Sequence, residues 1–289
     1  MGEEDLAWAA LEETLQERAG LDLRLYKEKC VARRLAVRQR ACAVPDLAAY
    51  VRLLREDPEE LPRLLDALTI NVTQFLRNPQ TFRVLGESVL PDLCRSRAEG
   101  GRRTLRAWSA GCATGEEAYT LAILLQEVWR ACGLRQTAVI YATDIDSRCL
   151  EVAKAARYQA RQLDGLPPEV RVRCFKEEQG GWVRLAPAIR RMVFVKRHDL
   201  RLPPPFRRLD LILSRNVLIY LAPAHQQQLL HAFAEVLTPG GILVLGKVEG
   251  LSGPAREAFE PVNVSERIYR RRAGTSGAGG AAAPGGARA

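Results

Sequence analysis

The chain has 289 residues, with 43 basic and 34 acidic side chains and a formal net charge of +9. Hydrophobic content of 47% and charged content of 27% suit a globular protein with a proper core in one large or two modest domains. No apolar run approaches the roughly 20 residues that span a bilayer, and the acidic start "MGEEDLAWAALEE" lacks the basic and apolar segments of a signal peptide, so a cytoplasmic location is expected. Cys30, Cys42, Cys94, Cys112, Cys132, Cys149 and Cys174 are irregularly spaced without a C-x-x-C pair, which argues against a disulfide framework or a metal site. The basic balance favours an acidic partner: nucleic acid, a membrane surface or an acidic protein.

Residues 1–85 read as helices. Trp8, Leu11 and Leu15 recur at helical spacing, with Gly20 as a stop. Asp22 is placed to cap a second helix running to about Cys42, and Asp46 a third. "DPEELPRLL" suggests Asp57 as N-cap with Glu60 closing a capping box, and in "NPQTF" Asn78 caps a helix begun by Pro79. From about residue 104 strands and helices alternate: "TLRAWSAG", "EEAYTLAILLQEVWRACG", "TAVIYATDID", "RCLEVAKAARY", "LDLILSRNVLIYL", "HQQQLLHAFAEVL", "ILVLGKVE". That order predicts an α/β, doubly wound, mostly parallel sheet over 86–272. "GWVRL" and "RRMVFVKR" read as short strands outside the main sheet, a small antiparallel β insertion at about 165–198. "VNVSERIYRRR" supplies a final antiparallel strand, and the Gly/Ala-rich tail 273–289 is expected to be disordered.

In such a sheet ligands bind at the carboxyl ends of the central strands, where strand order reverses. The loop "SAGCATGEE" is one such end. It lacks the G-K-[ST] of a P-loop and the third glycine of a dinucleotide fingerprint, and Glu116 and Glu117 would repel a phosphate. S-adenosylmethionine has no phosphate and carries an ammonium, which Glu116 can pair with. Asp144 in "TDID" suits the ribose hydroxyls, with Asp146 as a helix cap and Glu117 as a first-turn acid favoured by the helix dipole. Cys112 reads as a small loop residue rather than a nucleophile, and His198, His225 and His231 as structural or surface residues. Ser214-Arg215-Asn216 stands where a methyltransferase acting on base amino groups would show an N-P-P-Y-like motif, which disfavours an RNA methyltransferase.

"TINVTQFLR", "RAWSAGCATGEEAYTLA", "YATDID", "LDLILSRNVLIYL" and "LTPGGILVLGKVE" resemble, in order and spacing, the CheR-type chemoreceptor glutamate O-methyltransferases. "LDLRLYKEKCVARRLAVRQRACAVPDLAAYVRLL" resembles that family's helical domain. The resemblance implies a seven-stranded class I methyltransferase domain after an all-α domain. It also implies S-adenosyl-L-methionine as methyl donor and chemoreceptor glutamates as acceptors, converted to γ-methyl esters with release of S-adenosyl-L-homocysteine. By motif position it assigns cofactor contacts to Asn71, Thr73, Arg77, Glu116, Asp144, Asp199, Leu200, Arg215 and Asn216. Asp199 stands where the family usually has asparagine, Leu76 where a second aromatic is common, and Ala118 where proline is.

A glutamate carboxylate, with an ordinary pKa of about 4.3, is ionised at neutral pH and needs no general base to attack a methyl group. Arg77 is placed to hold that carboxylate and Tyr220 to orient it. The segment with Lys27, Lys29, Arg33, Arg34, Arg38 and Arg40 reads either as a solvated face or as a dock for the acidic methylation region of the receptor, through Arg33, Arg34 and Arg38. RNA binding is a third option for it, and a weakly active cofactor-binding regulator is the alternative for the whole chain. A monomer without nucleic-acid or metal partners is expected.

Overall fold

The computed structural model describes residues 2–68 and 73–274; Asn71 and most of the tail lie outside the described residues. Four helices come first: α1 (Glu3–Ala19), α2 (Glu28–Ala41), α3 (Leu47–Glu56) and α4 (Glu60–Leu68). Gly20 ends α1 in the left-handed conformation, and Asp46 caps α3 by accepting the Ala49 N–H at 2.7 Å. Their apolar faces close on Leu11, Leu15, Leu35, Tyr50, Leu54 and Leu64.

Two caps differ from the sequence reading. Asp22 caps a short 3-10 turn, Leu23–Leu25, and α2 begins only at Glu28. Glu60 closes no capping box. Its side chain is 1% exposed and accepts from Arg38 Nη2 and Tyr50 Oη, both at 2.6 Å. The first turn of α4 presses on α2 and α3, so the carboxylate is sealed from water and held by the cation that α2 presents.

Then follow α5 (Pro79–Val84), a π turn (Leu85–Val89) and α6 (Leu90–Glu99). Phe75, Phe82 and Leu85 pack into the core of the sheet, so residues 75–85 side with the second part of the chain and not with the helical part. Asn78 does not cap α5 with its side chain; its backbone is left-handed, and its Oδ1 accepts from Arg215 Nη2 at 2.8 Å.

The sheet begins with β1 (Thr104–Ala110), α7 (Glu116–Cys132), β2 (Thr137–Asp144) and α8 (Ser147–Ala155). An insertion follows: β3 (Arg157–Gln159), α9 (Pro168–Cys174), β4 (Phe175–Glu178), β5 (Trp182–Leu185) and α10 (Pro187–Arg190). β3, β5 and β4 form a small antiparallel sheet, starting earlier than the sequence suggested. Next come β6 (Val193–Arg197), β7 (Leu209–Ser214), α11 (Pro223–Val236), β8 (Leu237–Leu245), β9 (Phe259–Asn263) and β10 (Ile268–Arg271).

The main sheet has seven strands in the order β6-β2-β1-β7-β8-β10-β9, and β10 runs opposite to the other six. "RRMVFVKR" is therefore not part of the insertion: Val193–Arg197 is the parallel edge strand beside β2. β7, "LDLILS", is buried throughout, as a central parallel strand covered on both faces must be. The chain packs α7 on one face of the sheet and α11 on the other. Strand order reverses between β1 and β7, which opens a crevice at their carboxyl ends.

The helical part lies across that crevice. The Lys27 N–H donates to the Tyr220 carbonyl at 2.9 Å and the Ala222 N–H to the Leu25 carbonyl at 2.8 Å, around an antiparallel bridge of Tyr26 with Leu221. Arg201 Nη2 donates to the Gly20 carbonyl at 2.7 Å.

Candidate functional site

The crevice is a cleft between Tyr26, Val31 and Arg34 of the helical part and the loops after β1, β2, β6 and β7. The loop after β1 turns at Gly111, with φ of +80°; a Cβ there would come within 2.5 Å of Val217 Cγ2, so only glycine lets the two loops approach. Gly115, with φ of +95°, starts α7. Cys112 lines the cleft, and burial pushes its thiol well above the usual range. All seven thiols are free.

Of the two carboxylates that open α7, the cleft takes Glu117 and not Glu116. Glu117 accepts from Ser109 Oγ at 2.8 Å and Arg215 Nη1 at 3.3 Å. Glu116 turns away, accepting from Thr114 Oγ1 at 2.6 Å and Gln162 Nε2 at 3.4 Å. Consecutive helix positions point about 100° apart, so only one of the pair can face the ligand space. Burial raises the pKa of both, with Arg215 opposing it at Glu117 and Thr114 at Glu116.

Asp144, at the end of β2, lines the cleft. It accepts the Ala113 N–H at 2.9 Å and the Asp146 N–H at 3.0 Å, which fixes its orientation across the loop after β1. Asp146 caps α8 by accepting the Arg148 N–H at 2.8 Å, as the sequence suggested. Asp199 and Leu200 line the cleft after β6. The Asp199 carboxylate is occupied by Arg201, whose Nε donates at 2.6 Å and whose backbone N–H donates at 3.0 Å. Burial pushes Asp199 up, but these bonds and the Arg201 charge outweigh it and hold its pKa below the usual range.

After β7, Arg215 is buried and braces the site. Its Nη2 donates to the Arg77 carbonyl at 2.7 Å as well as to Asn78, and its guanidinium lies over the Phe82 ring at 5.0 Å. Asn216 has a left-handed backbone, and its Oδ1 is buried without a protein partner while the residue lines the cleft. Glu249, not marked by the sequence, holds this turn: it accepts the Gly246 N–H at 2.5 Å, the Asn216 N–H at 2.9 Å and the Ile219 N–H at 3.3 Å. No local pattern in "GKVEG" signals that long-range role.

Thr73, Arg77 and Tyr220 line the same cleft. Burial raises the Tyr220 pKa, while Arg34 and Arg77 lie near enough to pull against it. His198 also lines the cleft, with Nε2 buried and unpartnered; burial lowers its pKa, so the ring is neutral at pH 7. Within the basic helix Arg33 is exposed, Arg34 lines the cleft, and Arg38 is withdrawn inward onto Glu60. Among the described residues no helix is long and apolar enough to cross a membrane.

A doubly wound seven-stranded sheet, with carboxylates at the ends of its first two strands and a glycine loop without phosphate chemistry, defines a class I S-adenosylmethionine-dependent methyltransferase. Residues 71–268 match the family described as CheR methyltransferase, SAM binding domain, and residues 7–69 match CheR methyltransferase, all-alpha domain. The chain belongs to the CheR methyltransferase family.

Among its relatives is a chemotaxis protein methyltransferase of Listeria monocytogenes, 34% identical over 84% of this chain and 90% of that one. Another, from Salmonella typhimurium, is 32% identical over 84% of this chain and 83% of that one. An uncharacterized 104.1 kDa protein of Rhodobacter capsulatus is 38% identical over 85% of this chain, which spans only 25% of that larger protein.

Proposed function

We propose that the chain transfers methyl groups from S-adenosyl-L-methionine to glutamate side chains in the cytoplasmic part of chemoreceptors, forming γ-methyl esters that adjust receptor signalling. The observation that carries this reading is the single cleft in which Glu117 and Asp144 lie with Arg77 and Tyr220 beneath the helical layer. Anionic and cationic groups both line it, which suits a zwitterionic methyl donor together with an anionic acceptor.

The residues fit the cofactor. Asn216 offers a buried, unpartnered acceptor in the cleft, and Gly111 lets the loops after β1 and β7 close on each other beside it. Glu117 takes the role first assigned to Glu116, as partner of the donor's ammonium. Asp144 is the ribose partner, and Thr73, Asn216 and Leu200 complete the pocket. Asp199 acts through Arg201 rather than as a free ligand, and Arg215 holds Glu117 and the Arg77 backbone in place. Asn71 keeps its family assignment and lies outside the described residues.

When bound, the donor supplies an activated methyl group. The chain does the rest by position. Arg77 holds the acceptor carboxylate, which is already ionised, and Tyr220, kept protonated by burial, donates a hydrogen bond to it. The helical layer excludes water, so the attraction between opposite charges inside is little screened. No general base is required, because the acceptor carboxylate is already ionised at neutral pH. The partner is an acidic helical surface of the receptor in the cytoplasm, met by Arg33 beside the cleft mouth at Arg34.

The test is methyl transfer from labelled S-adenosylmethionine to a receptor cytoplasmic fragment. Label is expected on wild-type fragment and is lost when the glutamates of its methylation region are replaced by alanine. Equal labelling of both fragments overturns the substrate assignment.

A further inference from the structure

The crossover from β6 to β7, residues 198–208, contains no helix. In a parallel sheet each crossover covers a face, and the right-handed rule sends this one back over β2 and β1 on the α11 side. Register puts Phe194, Tyr141 and Trp108 in one row on that side. Trp108 is sealed, with Phe206 and Phe233 each 5.4 Å from it. Tyr141 has Phe206 stacked on it at 3.9 Å. Phe194, one strand further out, is 53% exposed, a large apolar side chain on a strip that a crossover helix would otherwise cover.

Arginines rim this strip. Arg102, Arg103, Arg106, Arg207 and Arg208 line one groove with Tyr141 and Phe206, beside the amino ends of β1 and β7 and so at the opposite end of the strands from the cofactor cleft. Arg102 is tied to buried Asp210 at 2.8 Å, and Arg106 donates to the Tyr141 hydroxyl at 2.9 Å. Among the described residues no carboxylate pairs with Arg103, Arg207 or Arg208, and all three are exposed.

We propose that this face docks an amphipathic α-helix of a partner protein, with its apolar stripe on Phe194 and the half-buried Tyr141 beside it and its acidic flank on Arg103, Arg207 and Arg208. A helix about 10 Å across is the element the sheet lacks there, and three unpaired guanidiniums specify carboxylates along it. Nucleic acid is the poorer match: Tyr141 is already stacked by Phe206 and approached by the Arg106 guanidinium at 5.5 Å, so the groove holds no ladder of open rings for bases.

The test is selection from a displayed library of 18-residue helical peptides, with a fixed Leu/Phe stripe and randomised flanks, against the full chain at physiological salt. The expected winners carry Glu and Asp on their flanks and bind at micromolar Kd. They lose at least tenfold in affinity to Phe194→Asp and to the Arg103→Glu/Arg207→Glu double variant, both of which keep wild-type cofactor binding and methyl transfer. Winners with neutral or basic flanks, winners indifferent to both variants, tighter binding of a single-stranded oligonucleotide than of any winner, or no winners at all overturn the proposal.

Discussion

Arg215 Nη1 lies 3.3 Å from Glu117 Oε2, joining the end of β7 to the first turn of α7 with side chains only 2% and 12% exposed. This pair is the cleft's charge centre, and it separates the two adjacent acids. Glu117→Gln is expected to weaken S-adenosylhomocysteine binding by about tenfold, on the order of 1.4 kcal/mol. Glu116→Gln, which keeps its Thr114 and Gln162 partners, changes it by about twofold or less. Calorimetric titration of both variants decides it; the reverse ranking returns the ammonium contact to Glu116.

That distinction was not legible in the sequence, because nothing local tells which of two neighbouring glutamates the helix phase turns inward. The alternation of strands and helices was legible: buried parallel strands such as "LDLILS" are apolar runs bounded by turns. β6 was misread because as an edge strand it buries little and ends in Lys196 and Arg197. Arg38 and Glu249 escaped for a different reason. Their roles come from partners 22 and 33 residues away, and only the packed fold brings these together.

Arg38 is the cation that holds the buried Glu60 carboxylate. Arg38→Ala leaves a buried carboxylate unpaired and is expected to cost about 3 kcal/mol of stability, whereas Arg33→Ala on the exposed side costs about 0.5 kcal/mol or less. Urea unfolding at pH 7 measures both. Equal effects would mean that Arg38 is as solvated as its neighbour.

The same pair sets a pH dependence. Burial pushes Glu60 up, but Arg38 and Tyr50 outweigh it, so its folded pKa is below the ordinary value. A depressed carboxyl contributes stability that is full above its unfolded pKa of about 4.3 and is lost as pH falls through the folded pKa. The urea midpoint is expected to fall more steeply below pH 5 in the wild type than in Glu60→Gln. Parallel curves would remove Glu60 from acid unfolding.

Tyr220→Phe removes the phenol that orients the acceptor and is expected to lower turnover by about tenfold while changing S-adenosylhomocysteine affinity by about twofold or less. Because burial raises the Tyr220 pKa, wild-type turnover shows no loss from phenol ionisation between pH 7 and 9. Steady-state kinetics and calorimetry read the split, and an unchanged turnover excludes Tyr220 from the mechanism.

Arg201 links Asp199 in the cleft to the Gly20 carbonyl at the end of α1. Arg201→Ala is therefore expected to weaken S-adenosylhomocysteine binding by about fivefold, on the order of 1 kcal/mol, and to speed amide exchange over residues 20–27. Weaker binding with unchanged exchange would confine Arg201 to Asp199 and leave the helical layer held by other contacts.

If the acceptor is a carboxylate, the bond formed reveals it. A receptor fragment labelled with methyl-tritiated S-adenosylmethionine is treated with alkali, and volatile methanol is counted. Nearly all protein-bound label is expected to leave as methanol, as γ-glutamyl methyl esters require. Label that stays on the protein through alkali would mean methylation of nitrogen and would contradict it.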